Sequence, residues 1–499
     1  MRVLFIYHAP GRMRYLGNDI NCERPVWSLE FIHHGISILS AILKEKGHQT
    51  GLIAVHRRQP KKFIDQKLDH FSPDVIAVTA TIIDYAILRD FADYAKKRDP
   101  KVFTVIGGAH AQCAPEMVLN DGFDAVCPCE GDIALINLIE SLDAGRGAAN
   151  IQGIWPRSDK SYSRTSNPRF VEDLDSLPYA DYSMWDDWIR FPNVGASLLV
   201  SRGCPFLCAY CSHHALKNVS EGKYVRFRSP KKIVDELYVF KERDVSCMYL
   251  ESETLNVRKS YVERLCDELI KFNGSDSAPM NYGVCLRVVP NMDWDDLFSK
   301  MRAANFSFVE IGLESGSERI RESILKRRYS NELFEHVLAS ARRNGIMVGV
   351  YALIGIPGET LIDFRETIEV IKRTKPDRTM LSIFEPYPGT ELYEVSQDLG
   401  LLQEGSWDYG RYESAINLPG FSKEQIQEQY STFYEQAELP TPQEALVRWA
   451  IRTLGSDKVE HIQNQAGTYR PLYETYKDSD SDAAELNFFE ELAELRRIP

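Results

Sequence analysis

The stretch SLLVSRGCPFLCAYCSHH, residues 197–214, runs from an apolar segment of strand character into three cysteines, Cys204, Cys208 and Cys211. Thiolates are soft ligands that suit zinc or iron–sulfur clusters, and three on one loop can take three corners of a tetrahedral or cubane site. A zinc reading completes the set with His213 or His214, giving a closed structural site of three sulfurs and one nitrogen. The remaining reading, thiols that only pack, is the weakest, because three cysteines so close behind a buried strand seldom serve packing alone. The spacing favours a cluster.

Outward from this loop, strand-like runs recur as SLLVSRG, SCMYLES, NYGVCLRV, FVEIGLES, VGVYALIG and TMLSIFEP, with helical periodicity between them. The first intervening helix has a plain start: Ser229 as cap, Pro230 at the first helical position, then the amphipathic KKIVDELYVFKER. Repeated strand–helix units over residues 196–390 predict a partial (β/α)6 barrel, whose chemistry belongs at the carboxyl ends of its strands. The three cysteines sit at such an end. Cys247, Cys266 and Cys285 read as buried small hydrophobes, and GIPGET (355–360) as a strand–turn–helix junction in which Glu359 and Thr360 open the next helix.

Residues 1–142 show a second alternating series, RVLFIYHA, QTGLIAV, DVIAVTATI, KVFTVIGGAH and FDAVCPCEG. Helical stretches such as 33–48, with Gly47 as stop signal, separate them. This pattern predicts an α/β flavodoxin-like (Rossmann-type) doubly wound sheet, which binds ligands beyond the carboxyl ends of its strands. Those ends carry HAPG, TATI, IGGAH and CEGD. Residues 143–195, rich in Gly, Ser, Pro and Asn, read as a connector with one small hairpin. Residues 391–499 read as a helical, acidic C-terminal region.

A chain of 499 residues exceeds what one core usually supports, so more than one domain is expected. Lys and Arg number 59 against 72 Asp and Glu, a net charge of −13 with no long basic block, which argues against nucleic acid as a partner. No apolar run is long enough to span a bilayer. The opening MRVLFIYHAP reads as a first strand and not as a signal peptide, so a cytoplasmic protein with its ten cysteines reduced is expected.

The C-x-x-x-C-x-x-C of Cys204, Cys208 and Cys211 at the end of a first barrel strand resembles the radical SAM superfamily. The resemblance implies that the three cysteines hold a [4Fe–4S] cluster whose fourth iron is chelated by S-adenosylmethionine, which is cleaved to a 5′-deoxyadenosyl radical. It places Tyr210 by the adenine and Glu253, in LESETLN (250–256), at the methionine amino group, where this branch more often has DDTF. EIGLESGSERI (310–320) and ALIGIPGET (352–360) are similar to the family's fourth and fifth strand ends, which assigns Glu314, Ser315, Arg327, Gly355, Pro357 and Gly358 to S-adenosylmethionine as well. A bland alternative for Glu314 is a structural pair with a nearby arginine. The chemistry implies an electron donor of flavodoxin or ferredoxin type.

The N-terminal half resembles the cobalamin-binding domains fused ahead of many radical SAM barrels, on IGGAHAQCAPEMVL followed by FDAVCPCEGDIAL (106–135). That resemblance assigns Gly107, Gly108, His110 and Glu130 to cobalamin. The Asp-x-His-x-x-Gly signature that gives an imidazole to cobalt in other cobalamin proteins is absent. Together the two resemblances imply a cobalamin-dependent methyltransferase acting on an unactivated carbon of a small-molecule or natural-product substrate. A non-methylating cyclisation, rearrangement or group transfer is the first alternative. A methylthiotransferase is the second, although Cys22, Cys113, Cys127 and Cys129 match its extra cysteine triad poorly. The non-enzyme alternative is a zinc-stabilised binding module. Trp407 and Tyr412, in WDYGRYESA, and FEPYPGTELY (384–393) are expected near the barrel mouth.

Overall fold

Four consecutive buried residues, Val3 to Ile6, open the chain, and a strand buried on both faces needs helices above and below it. The computed structural model describes residues 1–9, 26, 28–55, 61–158, 161–274, 279–402, 413–414 and 416–460. Strand β1 (Arg2–His8) lies between β2 (Gln49–Val55) and β3 (Val75–Thr79), with Ile6 beside Ile53 on one side and Val78 on the other. Strands β4 (Phe103–Gly107) and β5 (Ala125–Val126) continue the parallel ladder, giving the order β2-β1-β3-β4-β5. This is the doubly wound sheet expected. The helix predicted over 33–48 forms at His34–Glu45; the His33 imidazole accepts from Ile36 N at 3.1 Å, and Gly47 takes φ +83° just past its end.

The stretch 143–195 departs from the connector expected of it. Strand β6 (Trp155–Ser158) adds antiparallel to β5, and β7 (Ser161–Tyr162) pairs with β6 as the small hairpin. The first compact unit therefore runs through Pro192 and also takes in Ala215–Tyr224. Its scattered aromatics are the reason. Trp185 is fully buried, meets Tyr7 edge-on at 5.2 Å and donates from Nε1 to Ser37 Oγ at 2.8 Å. The Asp181 carboxylate receives Lys44 Nζ at 2.7 Å. Polar, glycine-rich composition sets the path of this segment, but a few large anchors fix it to the sheet.

The second unit comprises Asn193–His214 and Val225–His461. Its main sheet, β8 (Ala196–Leu199), β11 (Cys247–Glu251), β12 (Asn281–Leu286), β13 (Phe306–Glu314), β14 (Met347–Ile354) and β15 (Arg378–Ile383), is wholly parallel in that sequential order. This is the partial barrel predicted, with one strand shorter than its sequence suggested. At Val200 the chain leaves the sheet, and β9 (Ser201–Arg202) pairs instead with β10 (Arg226–Phe227). The helix Pro230–Glu242 starts as read: Ser229 Oγ accepts from Lys232 N at 3.1 Å.

Helices Glu391–Asp398, Lys423–Gln436 and Pro442–Leu454 form the described part of the C-terminal region and belong to the barrel unit. Trp449 packs on Phe308 with ring centroids 4.9 Å apart and on Met347, while Asn281 Nδ2 donates to Thr453 O at 2.9 Å. Asn281 and Met347 open their strands, so this last helix lies against the amino-terminal ends of the barrel strands. Trp407, Tyr412 and residues 461–499 lie outside the described residues.

Phe308 reaches its place under Trp449 by crossing the position where residue 283 would carry a side chain. A Cβ on Gly283 would stand 1.9 Å from the Phe308 ring. Gly283→Ala is expected to destabilise the barrel by about 1–3 kcal/mol, with part of the loss recovered in a Phe308→Leu background. Urea unfolding of the four-member mutant cycle measures both effects.

Candidate functional site

The cysteine loop leaves β8 and β9 through Gly203, at φ +84°. Cys208 is buried and meets a cation: Arg287, the residue after β12, donates from Nη1 to Cys208 Sγ at 2.9 Å, and its guanidinium lies 3.9 Å over the Phe206 ring. Asn256 fixes the Arg287 backbone from both sides, with Arg287 N donating to Asn256 Oδ1 at 3.1 Å and Asn256 Nδ2 to Arg287 O at 2.8 Å. Thr254 Oγ1 stands 3.4 Å from Cys204 Sγ. Burial raises the Cys204 thiol and pushes Cys211 up to about 12, with Glu253 adding to both. Cluster binding removes these protons.

This donor set fits an iron–sulfur cluster better than zinc. His213, one of the nitrogens a zinc site would recruit, instead places Nε2 3.0 Å from Glu253 Oε2. Burial works to raise the Glu253 carboxyl, but the hydrogen bond and charge of His213 outweigh it and hold it lower. Among the described residues, no three His, Cys, Asp or Glu side chains are grouped around a single ion position. A tetrahedral zinc needs four donors at one point, whereas a cubane takes each thiolate at a separate iron.

Three residues assigned to S-adenosylmethionine meet in one buried network. Tyr210 OH donates to Glu314 Oε1 at 2.9 Å, Arg327 Nη1 donates to Tyr210 OH at 3.1 Å and lies 3.3 Å from Glu314 Oε1, and Arg327 Nη2 donates to Gly312 O at 2.7 Å. Glu314 and Arg327 are 8% and 6% exposed. The arginine pair that a purely structural reading of Glu314 required is therefore present, beside the cysteine loop. A break in register between β13 and β14 at Gly312/Glu314 brings this about, with Glu314 at φ +64°. Behind it, Arg321 is fully buried, donates to Ser315 O at 2.6 Å and to Tyr329 O at 2.9 Å, and stacks on Tyr329 at 4.5 Å. Ser315 turns its own hydroxyl to Ser317 N at 3.2 Å.

The turn after β14 is closed by Glu359, which does not open the helix as expected. Its Oε2 accepts from Gly355 N at 2.6 Å and Ile356 N at 3.2 Å, while Thr360 caps the helix Leu361–Thr374 in a reciprocal capping box with Asp363. Gly355 and Gly358 take φ +83° and +82°, with Pro357 buried between them and Gly358 exposed.

Several residues of this unit carried no recognised motif. Glu310, four positions before Glu314 on the same face of β13, receives both Tyr249 OH at 3.0 Å and Tyr351 OH at 2.6 Å on Oε2, and Cys285 is its register partner on β12. The signal was a lone carboxylate in the apolar run FSFVEIGLE, at even spacing from Glu314. Arg287 and Asn256 gave no signal of their own. Cys266 is buried as expected, while Cys247 and Cys285 are half-buried.

In the first unit, Gly107 ends β4 and Gly108 follows it. A Cβ on Gly108, at φ +89°, would meet Ala80 N at 2.6 Å, so this glycine serves the packing of two strand ends. His110 is 3% exposed, tilts against Tyr85 at 4.6 Å, and is lowered by burial to about 4. Glu130 stands apart from these, in a shallow recess with Asp132, Pro168 and Arg169. Cys127 and Cys129 lie buried with sulfurs 3.8 Å apart. Cys22 is outside the described residues. At the end of β1, His8 Nδ1 is 2.7 Å from Asp84 Oδ1, and Thr81 Oγ1 donates to Asp84 Oδ2 at 2.7 Å.

Two outcomes are expected of the barrel network. Arg327→Met strands a buried carboxylate and is expected to cost about 3–5 kcal/mol, with much of it restored by Glu314→Gln, as read by urea midpoints of the cluster-free protein. Burial raises the Glu359 carboxyl to about 8 against the pull of the Gly355 and Ile356 amides. The folded chain thus holds a proton that the unfolded chain releases near its ordinary value. The stabilising contribution is full below that value and is lost as pH rises through about 8. Melting of the protein against Glu359→Gln across that window should show the wild type losing up to about 1.4 kcal/mol per pH unit relative to the variant.

Comparison with known proteins follows the same division. Residues 28–139 match the B12 binding domain and residues 198–371 the Radical SAM superfamily. The anaerobic magnesium-protoporphyrin IX monomethyl ester cyclase of Rubrivivax gelatinosus is 28% identical over 417 residues, covering 80% of this chain and 70% of its own. An uncharacterized methyltransferase of Pyrococcus horikoshii is 26% identical over 413 residues, covering 80% and 87%. The radical S-adenosylmethionine methyltransferase TsrM from Kitasatospora setae, solved with cobalamin and a [4Fe–4S] cluster bound, superposes with a TM-score of 0.67 at 17% identity over 93% of this chain and 99% of that one, a likeness of fold. With both domains matched in this order, and a three-thiol loop at the end of the first barrel strand, the chain is a radical SAM enzyme with a B12 binding domain, and its cofactors are a [4Fe–4S] cluster, S-adenosylmethionine and cobalamin.

Proposed function

We propose that this enzyme methylates an unactivated carbon of a small-molecule or natural-product substrate. The observation that carries the reading is the presence, in one chain, of the Cys204–Cys208–Cys211 loop with Arg287 on its central sulfur and a B12 binding domain ahead of it. Methyltransferase is also the stated activity of two of the similar proteins. When bound, the cluster with S-adenosylmethionine supplies a 5′-deoxyadenosyl radical, and the corrinoid supplies a methyl group.

The protein's own contribution is to hold and to exclude. Cys204, Cys208 and Cys211 hold the cluster, and Arg287 positions the Cys208 sulfur through its Nη1 hydrogen bond. Tyr210, Glu314, Arg327, Ser315 and the turn Gly355, Pro357 and Gly358 hold S-adenosylmethionine. Glu253 receives the methionine ammonium while sharing its carboxylate with His213. Gly107, Gly108, His110 and Glu130 belong to the corrinoid domain, where the imidazole of His8, held by Asp84, is a donor that fits a cobalt-bearing ring. Glu310, with its two phenols, lines the barrel face on which the substrate is placed. The electron comes from a donor of flavodoxin or ferredoxin type, and the enzyme works in the cytoplasm; among the described residues no helix is long and apolar enough to cross a membrane.

A second reading, cyclisation without methyl transfer, is favoured by the cyclase relative at 28% identity. Anaerobic protein reconstituted with iron, sulfide and hydroxocobalamin, then given S-adenosylmethionine and a strong reductant, separates the two. Methyl transfer is expected to give both 5′-deoxyadenosine and S-adenosylhomocysteine. 5′-Deoxyadenosine with no S-adenosylhomocysteine, in the presence of candidate substrates, would shift the assignment to cyclisation.

A further inference from the structure

We propose that His8 is an axial ligand to the cobalt of cobalamin, oriented by Asp84 and Thr81 as positioning residues. The proposal rests on the cofactor assignment above and goes beyond it by naming a ligand from outside the Asp-x-His-x-x-Gly signature that the chain lacks.

The place in the fold comes first. In the order β2-β1-β3-β4-β5, consecutive connections leave β1 toward opposite edges of the sheet, so the switch point lies between β1 and β3. Open α/β sheets bind their ligands in the crevice outside the carboxyl ends of the strands at this point. His8 is the last residue of β1. Thr81 and Asp84 follow β3, Thr81 as the residue capping the helix Ile82–Arg98 and Asp84 in its first turn. The group therefore spans the crevice from both sides.

The chemistry of the pair then selects one nitrogen. An ionised carboxylate only accepts hydrogen bonds, so the 2.7 Å contact with Asp84 Oδ1 places the His8 proton on Nδ1. In the neutral imidazole Nε2 then carries the lone pair. Among the described residues it has no hydrogen-bond partner, and it is not among the sealed-off unpartnered atoms that include His110 Nε2. The second oxygen of Asp84 takes Thr81 Oγ1 at 2.7 Å, which stops the carboxylate from swinging. An imidazole whose far N–H is held by a hydrogen-bonded carboxylate is the arrangement that orients histidine ligands to metals and raises their basicity. Side-chain exposures of 12% for His8 and 23% for Asp84 leave the ring partly accessible yet constrained. His110, after β4, is 3% exposed and packed against Tyr85, and the His33 ring nitrogen Nδ1 is taken by Ile36 N.

The test uses the full chain loaded with hydroxocobalamin and reduced to the cobalt(II) state, read by electron paramagnetic resonance. Protein made with natural histidine and with 15N-histidine is compared. Ligation by His8 predicts a three-line nitrogen splitting that becomes two-line with 15N-histidine. His8→Gln should lose this coupling while corrinoid stays bound, and Asp84→Asn should keep nitrogen coupling but release corrinoid roughly 10–100-fold more easily. Bound corrinoid whose spectrum ignores 15N-histidine, whether its nitrogen comes from the cofactor's own base or is absent, overturns the proposal and leaves the B12 assignment standing. Failure to retain corrinoid at all overturns both. A spectrum blind to 15N-histidine needs only the unaltered chain and overturns the proposal even where a His8 variant does not fold, while a histidine coupling is assigned to His8 among the chain's eleven by its loss in His8→Gln.

Discussion

A buried arginine is tolerable only with its charge answered, and Arg327 is answered by Glu314, Tyr210 and a strand-end carbonyl at once. These partners come from different places: Tyr210 from the cysteine loop, Glu314 and Gly312 from the end of β13. The hydrogen bonds of Tyr210 to this ion pair therefore tie the loop that carries the sulfurs to the sheet. Most of the remaining geometry of the site hangs on this tie. Burial alone would lower the affinity of the guanidinium for its proton, yet its neighbours raise it well above the ordinary value, and the adjacent phenol of Tyr210 is kept protonated by the same burial. The result is a fixed cation, a fixed anion and a fixed donor beside the place where S-adenosylmethionine is assigned.

Strand order and the cysteine loop were legible because each rests on local pattern. Alternation of apolar runs with helical periodicity located every strand of the partial barrel, and Ser229 and Gly47 marked helix ends by their backbone chemistry alone. What sequence did not disclose depends on contacts between distant positions. Arg287 reaches Cys208 across 79 residues, and Tyr249 reaches Glu310 across 61. Nothing in the neighbourhood of either residue distinguishes it from an ordinary strand position. Glu359 was misjudged for a related reason: a carboxylate ahead of a helix is favourable there, but two free amides of its own turn are closer.

The first unit makes the same point through its glycines. The resemblance assigns Gly107 and Gly108 to cobalamin, and within the fold the space beside Gly108 is filled by the approach of Ala80, a contact between distant positions that no local pattern reports. The connector was misread because composition reports backbone freedom and says little about three or four large side chains. Trp185, one of seven tryptophans in the chain, anchors a segment whose other residues suggest a loop.

The helix Pro442–Leu454 contains no recognisable motif, yet Trp449 occupies the floor of the barrel against Phe308 and Met347. A stopper of this kind imposes a requirement of volume, not of identity. Sequence in that helix is free to drift as long as one large apolar side chain keeps its register, so divergence there is compatible with an unchanged catalytic core. It also sets a minimum length for the enzyme: a chain ending ahead of Pro442 would retain every assigned ligand and lose the base on which its barrel closes.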